Sequence, residues 1–132
     1  MEIVFGDAFF FIAWLNDRDE GHEQAIALGL SSSRRIVTTE YVLVEVADAL
    51  AETPQRSSIG AFFRLLRQSR SVEIIEGKRE LLEEGLSLYA TRPDKAWSLT
   101  DCISFEVMRE RKLTEALTHD HHFKQAGFRV LL

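Results

Sequence analysis

Asp101 is the first residue in this chain whose position asks for chemistry. In Asp94–Glu106 (DKAWSLTDCISFE), Ser98 is placed to cap the start of a helix. Asp101 stands three residues later, where the acid of a capping box belongs. Its neighbours on one helical face are Phe105 and Met108, so the carboxylate lies on an apolar stripe. A buried charge there needs a partner or a cation, because leaving it unpaired costs several kcal/mol. Two further acids stand at strand-to-helix junctions. Asp7 follows the β-prone Ile3-Val4-Phe5 and precedes the apolar helical run Ala8–Leu15; Asp120 follows Glu115–Thr118 and precedes His121–Ala126. In open α/β sheets the carboxyl ends of strands are the ligand-binding edge. Each acid taken singly reads equally well as the N-cap of the next helix. Carboxylates brought together repel and raise one another's pKa; a hard divalent cation such as Mg²⁺ relieves that repulsion and keeps bound waters. Such an ion supplies a nucleophile and stabilises a phosphoryl oxygen, which makes phosphodiester cleavage the chemistry this set can do.

The remaining reactive side chains say less. His119, His121 and His122 flank Asp120, but they lack an i, i+4 pair and a nearby cysteine, so they read as loop histidines beside the acids. Cys102, the single cysteine, has no base partner and reads as a small core residue; it leaves no internal disulfide and fits a reducing cytoplasm. Arg34-Arg35 after Ser31–Ser33 reads as a solvated turn. Arg56, Arg64, Arg67 and Arg70 form the most basic stretch, either an RNA-facing or partner-facing surface or a charged face that keeps the chain in solution.

The elements that must hold the acids follow from periodicity. Short β-prone runs at 2–6, 36–38, 72–75, 115–118 and 128–131 alternate with helical patterns at 8–15, 22–30, 40–51, 57–69, 78–89, 98–111 and 121–126. Strands this short, separated by helices, imply a three-layer α/β/α sandwich around a mainly parallel sheet of about five strands. The 132 residues read as one domain, 1–132, large enough for a core without staples. In the helix from Glu40 to Ala51, Leu43, Val46, Ala47 and Leu50 make the apolar stripe, which leaves Glu45 on the solvated side with Asp48. In the helix from Ser57, Phe62, Leu65 and Leu66 point inward. A net charge of −5 argues against binding nucleic acid by bulk charge, though not against an enzyme that acts on it. Ala8–Leu15 is too short to span a bilayer and has no basic segment before it, so no membrane role is expected.

Four acids in this order, with their surroundings, resemble the PIN-domain proteins, in particular the VapC-like ribonucleases of toxin–antitoxin pairs. The resemblance runs nearly the whole length. It rests on a first strand ending in Asp7, a helix bearing Glu45, the segment Trp97-Ser-Leu-Thr-Asp101-Cys-Ile-Ser-Phe105, and Leu117-Thr-His-Asp120-His-His-Phe123 before a Gly-Phe strand. It implies that Asp7, Glu45, Asp101 and Asp120 form an acidic quartet holding Mg²⁺ or Mn²⁺ for RNA cleavage to a 3′-hydroxyl and a 5′-phosphate. On that ground Glu45 is expected to line the pocket, with Asp48 its rival on the same helix. Thr118 matches the hydroxyl residue two positions before the last acid. Thr118, Lys95 and Arg109 are candidate substrate contacts. One departure is Ala8, where the family often has Ser or Thr.

The resemblance further implies a cytoplasmic endoribonuclease toxin, a cognate antitoxin and a homodimer. Two other readings share the fold: an RNA-processing PIN nuclease without a toxin role, and a catalytically silent interaction domain. A haloacid-dehalogenase-type phosphatase would need a second Asp where Phe9 stands, and a receiver domain would need a phospho-accepting Asp where Ile75-Glu76-Gly77 stands.

Overall fold

The structure is a computed structural model and describes residues 2–132. Five strands, β1 (Glu2–Gly6), β2 (Arg34–Thr39), β3 (Val72–Ile75), β4 (Glu115–Leu117) and β5 (Arg129–Leu131), form one sheet in the order β3-β2-β1-β4-β5. Every pairing is parallel, so the sheet expected to be mainly parallel is wholly so among the described residues. The central strands are buried on both faces, and their sequences are correspondingly continuous rather than alternating: Val4 and Phe5 in β1 and Ile36–Thr39 in β2 are all at or below 1% exposure.

Among the described residues seven α-helices connect the strands: α1 (Ala8–Leu15), α2 (His22–Gly29), α3 (Glu40–Ala49), α4 (Ile59–Gln68), α5 (Arg79–Thr91), α6 (Leu99–Glu110) and α7 (His121–Gln125). α1 packs on α2 and α3, and α6 packs on α5 and α7. Phe11 and Trp14 of α1 pack on Phe62 of α4. On the opposite face Phe105 of α6 meets Phe123 of α7 edge-on, with ring centroids 4.9 Å apart. No helix among the described residues is long and apolar enough to cross a membrane.

Three local expectations are corrected. Arg34 and Arg35 are not a solvated turn: they open β2 in register with Glu2 and Ile3, and Arg34 also pairs with Glu2 at 3.2 Å. The helix expected from Ser57 begins at Ile59, because Pro54–Ser58 tightens into a 3₁₀ turn. Leu65 is 50% exposed, since the buried stripe of α4 is narrow and consists of Phe62 and Leu66.

Two devices fix α6, the helix that carries Asp101. At its far end Arg111 pairs with Glu73 of β3 at 2.6 Å, and together with Arg35 it holds the Glu73 carboxyl below its ordinary range. At its near end the buried Trp97 donates its indole N–H to Gln125 Oε1 of α7 at 3.0 Å.

Candidate active site

Strand β1 is the switch point of the sheet: the chain passes from β1 to β2 and β3 on one side, then returns to β4 and β5 on the other. The crevice at the carboxyl ends of β1 and β4 is where such a topology opens a ligand site. Asp7 follows β1 directly, and its amide bonds Leu117 O of β4. Gly6 lets the end of β1 pack closely against β2 and α1, because a Cβ there would fall 2.9 Å from Ile36 Cγ2 and 3.0 Å from the Phe11 ring.

Asp7 occupies the N-cap position of α1, but its side chain makes no cap hydrogen bond. The carboxylate instead accepts the Thr118 hydroxyl at Oδ2, 2.8 Å away. It is 3% exposed, and burial pushes its pKa up to about 7; Thr118 and the Ala8 amide oppose the rise, while Asp101 and Asp120 add to it.

Asp101 does complete a capping box. Ser98 Oγ accepts from the Asp101 amide at 3.0 Å, and Asp101 Oδ2 accepts from the Ser98 amide at 3.2 Å. The cap and the site are served by one side chain, which is 6% exposed and whose pKa is raised chiefly by burial. Asp120 caps α7 through Oδ1, accepting from the His122 amide at 2.9 Å. Its own amide donates to Thr118 Oγ1 at 3.0 Å.

Glu45 lies half-buried on α3, on the wall of the same cleft. Periodicity alone places it in solvent; the structure turns it toward Asp7, Asp101 and Asp120. Burial first, and then the repulsion of those three acids, pushes its pKa up to about 7. Asp48, the rival on the same helix, is exposed and does not line the cleft.

The cleft, about 430 Å³, therefore gathers all four acids and His122, with apolar walls from Phe9, Ile12 and Ala49. Neither Lys nor Arg lines it. Crowded acids without a Lys or Arg neighbour hold protons or a cation, and four carboxylates suit a hard divalent ion. The donor chemistry thus fits the metal that the sequence resemblance implies.

The candidate substrate contacts fall elsewhere. Thr118 is fully buried, so its hydroxyl serves Asp7 and Asp120 rather than open solvent. Arg109 is exposed and paired with Glu106 at 2.9 Å, two turns from Asp101. Lys95 lines a neighbouring hollow beside Trp97 and Arg92. His122, read from the sequence as a loop histidine beside the acids, instead enters the site: its Nδ1 stands 3.0 Å from Asp101 Oδ2 and 3.3 Å from Asp120 Oδ1. The signal available was its place two residues after an N-cap Asp, where the backbone amide meets the capping carboxylate.

A wholly parallel sheet with acids converging at its switch point defines a class, and the family comparison agrees with it. The chain belongs to the PIN-domain family, whose model matches residues 4–129. Among individual proteins it is similar to the 23S rRNA-specific endonuclease VapC20 of Mycobacterium tuberculosis, at 28% identity over 127 residues covering 96% of this chain and 95% of the relative. The crystal structure of that protein, described as a sarcin–ricin loop cleaving toxin, superposes with a TM-score of 0.83 at 27% identity and covers 95% of each chain. VapBC2 of Rickettsia felis, solved bound to a DNA fragment from its promoter, shares the fold at a TM-score of 0.68 and 12% identity, covering 98% of this chain and 97% of that one.

Proposed function

We propose that this chain is a metal-dependent endoribonuclease and the toxin of a toxin–antitoxin pair. The observation that carries the reading is the convergence of Asp7, Glu45, Asp101 and Asp120 in one cleft that no Lys or Arg lines. Asp7 and Asp101 would hold a divalent ion, Mg²⁺ or Mn²⁺, and Asp120 would add a further carboxylate to the site. When bound, the ion polarises a phosphoryl oxygen and lowers the pKa of water. Glu45, already near neutrality in its acid strength, orients the attacking water and accepts its proton. In-line attack breaks the P–O3′ bond and leaves a 3′-hydroxyl and a 5′-phosphate. Thr118 acts by holding Asp7 rather than by touching RNA.

The similarity to VapC20 supports RNA as substrate and makes a sarcin–ricin loop oligonucleotide the first one to test. A cognate antitoxin and a homodimer belong to the same reading. The deciding experiment compares wild type and Asp101→Asn on that RNA with Mg²⁺, with Mn²⁺ and with EDTA. Asn keeps an acceptor for the Ser98 amide, so α6 stays capped while cleavage is lost. Cutting by the Asn variant at the wild-type rate, or undiminished cutting in EDTA, would refute the proposal.

A further inference from the structure

His122 carries the one imidazole that enters the acidic cleft. Its position is built, not incidental. The His122 amide is tied to Asp120 Oδ1, and the next residue, Phe123, is fully buried against Phe5 and Phe105. The first turn of α7 is thus anchored, and the ring has its Nδ1 between Asp101 Oδ2 at 3.0 Å and Asp120 Oδ1 at 3.3 Å. Donor atoms on adjacent corners of an octahedron, each about 2.1 Å from the ion, lie about 3 Å apart. His122 Nδ1 already has that spacing to one oxygen of each acid. His121 differs: its side chain is 73% exposed and its Nδ1 is 3.9 Å from Asp120.

We infer that His122 is a direct ligand of the bound ion, which gives the site a mixed oxygen–nitrogen donor set and a preference for Mn²⁺ over Mg²⁺. The inference rests on the reading that the acids hold a divalent cation. Mg²⁺ is a hard ion that favours oxygen and sheds water reluctantly, whereas imidazole nitrogen suits transition metals. The competing arrangement keeps His122 off the metal, with Nδ1–H donating to Asp101.

Electron paramagnetic resonance of Mn²⁺ added to the full chain separates the two. Loss of the free-ion signal reports binding, and electron spin echo modulation reports any directly coordinated ¹⁴N. The wild type should bind Mn²⁺ with ¹⁴N modulation. H122N should lose the modulation, and its Mn²⁺-over-Mg²⁺ affinity ratio, measured by competition, should fall roughly tenfold or more. Mn²⁺ binding by the wild type without ¹⁴N modulation would overturn the inference and leave the carboxylate site standing. Failure of the wild type to bind either ion would overturn both readings. The wild-type spectrum decides the matter even where H122N does not fold.

Discussion

The Thr118 hydroxyl donates to Asp7 Oδ2 at 2.8 Å, joining the ends of β4 and β1 across 111 residues of chain. Thr118 Oγ1 in turn accepts from the Asp120 amide at 3.0 Å. One buried side chain therefore sets the spacing of two acids. It also lowers the charge cost of Asp7, against which burial works.

Replacing Thr118 by Val keeps the shape and removes both bonds. The variant should lose about 1–3 kcal/mol of stability in urea, because a buried carboxylate and a backbone amide are left unpaired. Metal affinity and RNA cleavage should fall roughly 10–100-fold. Thr118→Ser should recover most of both, and a Val variant with wild-type metal affinity would show that the hydroxyl does not position Asp7.

Asp7 and Glu45 also predict how stability depends on pH. Both have folded-state pKa values near 7, above the ordinary 3.8 and 4.5. Between about pH 4.5 and 7 the folded chain holds protons that the unfolded chain has released. Their contribution to stability is therefore complete below the ordinary values and is lost as pH rises through 7. In EDTA the melting temperature should drop from pH 5 to pH 8, and saturating Mn²⁺ should flatten the drop. A melting temperature that rises over that range in EDTA would contradict the burial of these two acids.

Much of this site is legible in local sequence. A strand, an Asp and a helix in succession mark Asp7 and Asp120, and Ser98 with Asp101 spells a capping box that the structure completes. Glu45 is not legible in the same way. Helical periodicity separates the core from everything else and cannot distinguish bulk water from a cleft; only the family resemblance pointed inward. For His122 the local pattern gives only its place after the capping Asp120; that its ring enters the cleft depends on how α7 docks through Phe123. Arg34 and Arg35 look like a turn because their pairing partners, Glu2 and Ile3, lie more than thirty residues away.

Glu45→Gln should separate stability from catalysis. The amide removes a charge repelled by Asp7, Asp101 and Asp120, so the metal-free variant should melt higher than wild type at pH 8. Cleavage at saturating Mg²⁺ should fall about 10²–10⁴-fold, the usual worth of a positioned base. Lower stability together with unimpaired cleavage would place Glu45 outside the site.

Gly85 tests whether the packing of α5 on α6 sets the position of Asp101. A Cβ at Gly85 would run into Ile103 Cγ1 and come within 3.1 Å of the Ile103 backbone N and Cα. A flexible side-chain tip can yield, but the backbone contacts cannot without shifting α6. An exposed helical Gly→Ala change normally stabilises by roughly 0.5–1 kcal/mol. Here overpacking should outweigh that gain, for a net loss of about 1–3 kcal/mol in urea. Ile103 follows Asp101 by two residues on α6, so the displacement should also weaken metal binding under conditions where the variant is still folded. Gly85→Ala with raised stability and wild-type metal affinity would show that α6 is held by Arg111 and Trp97 alone.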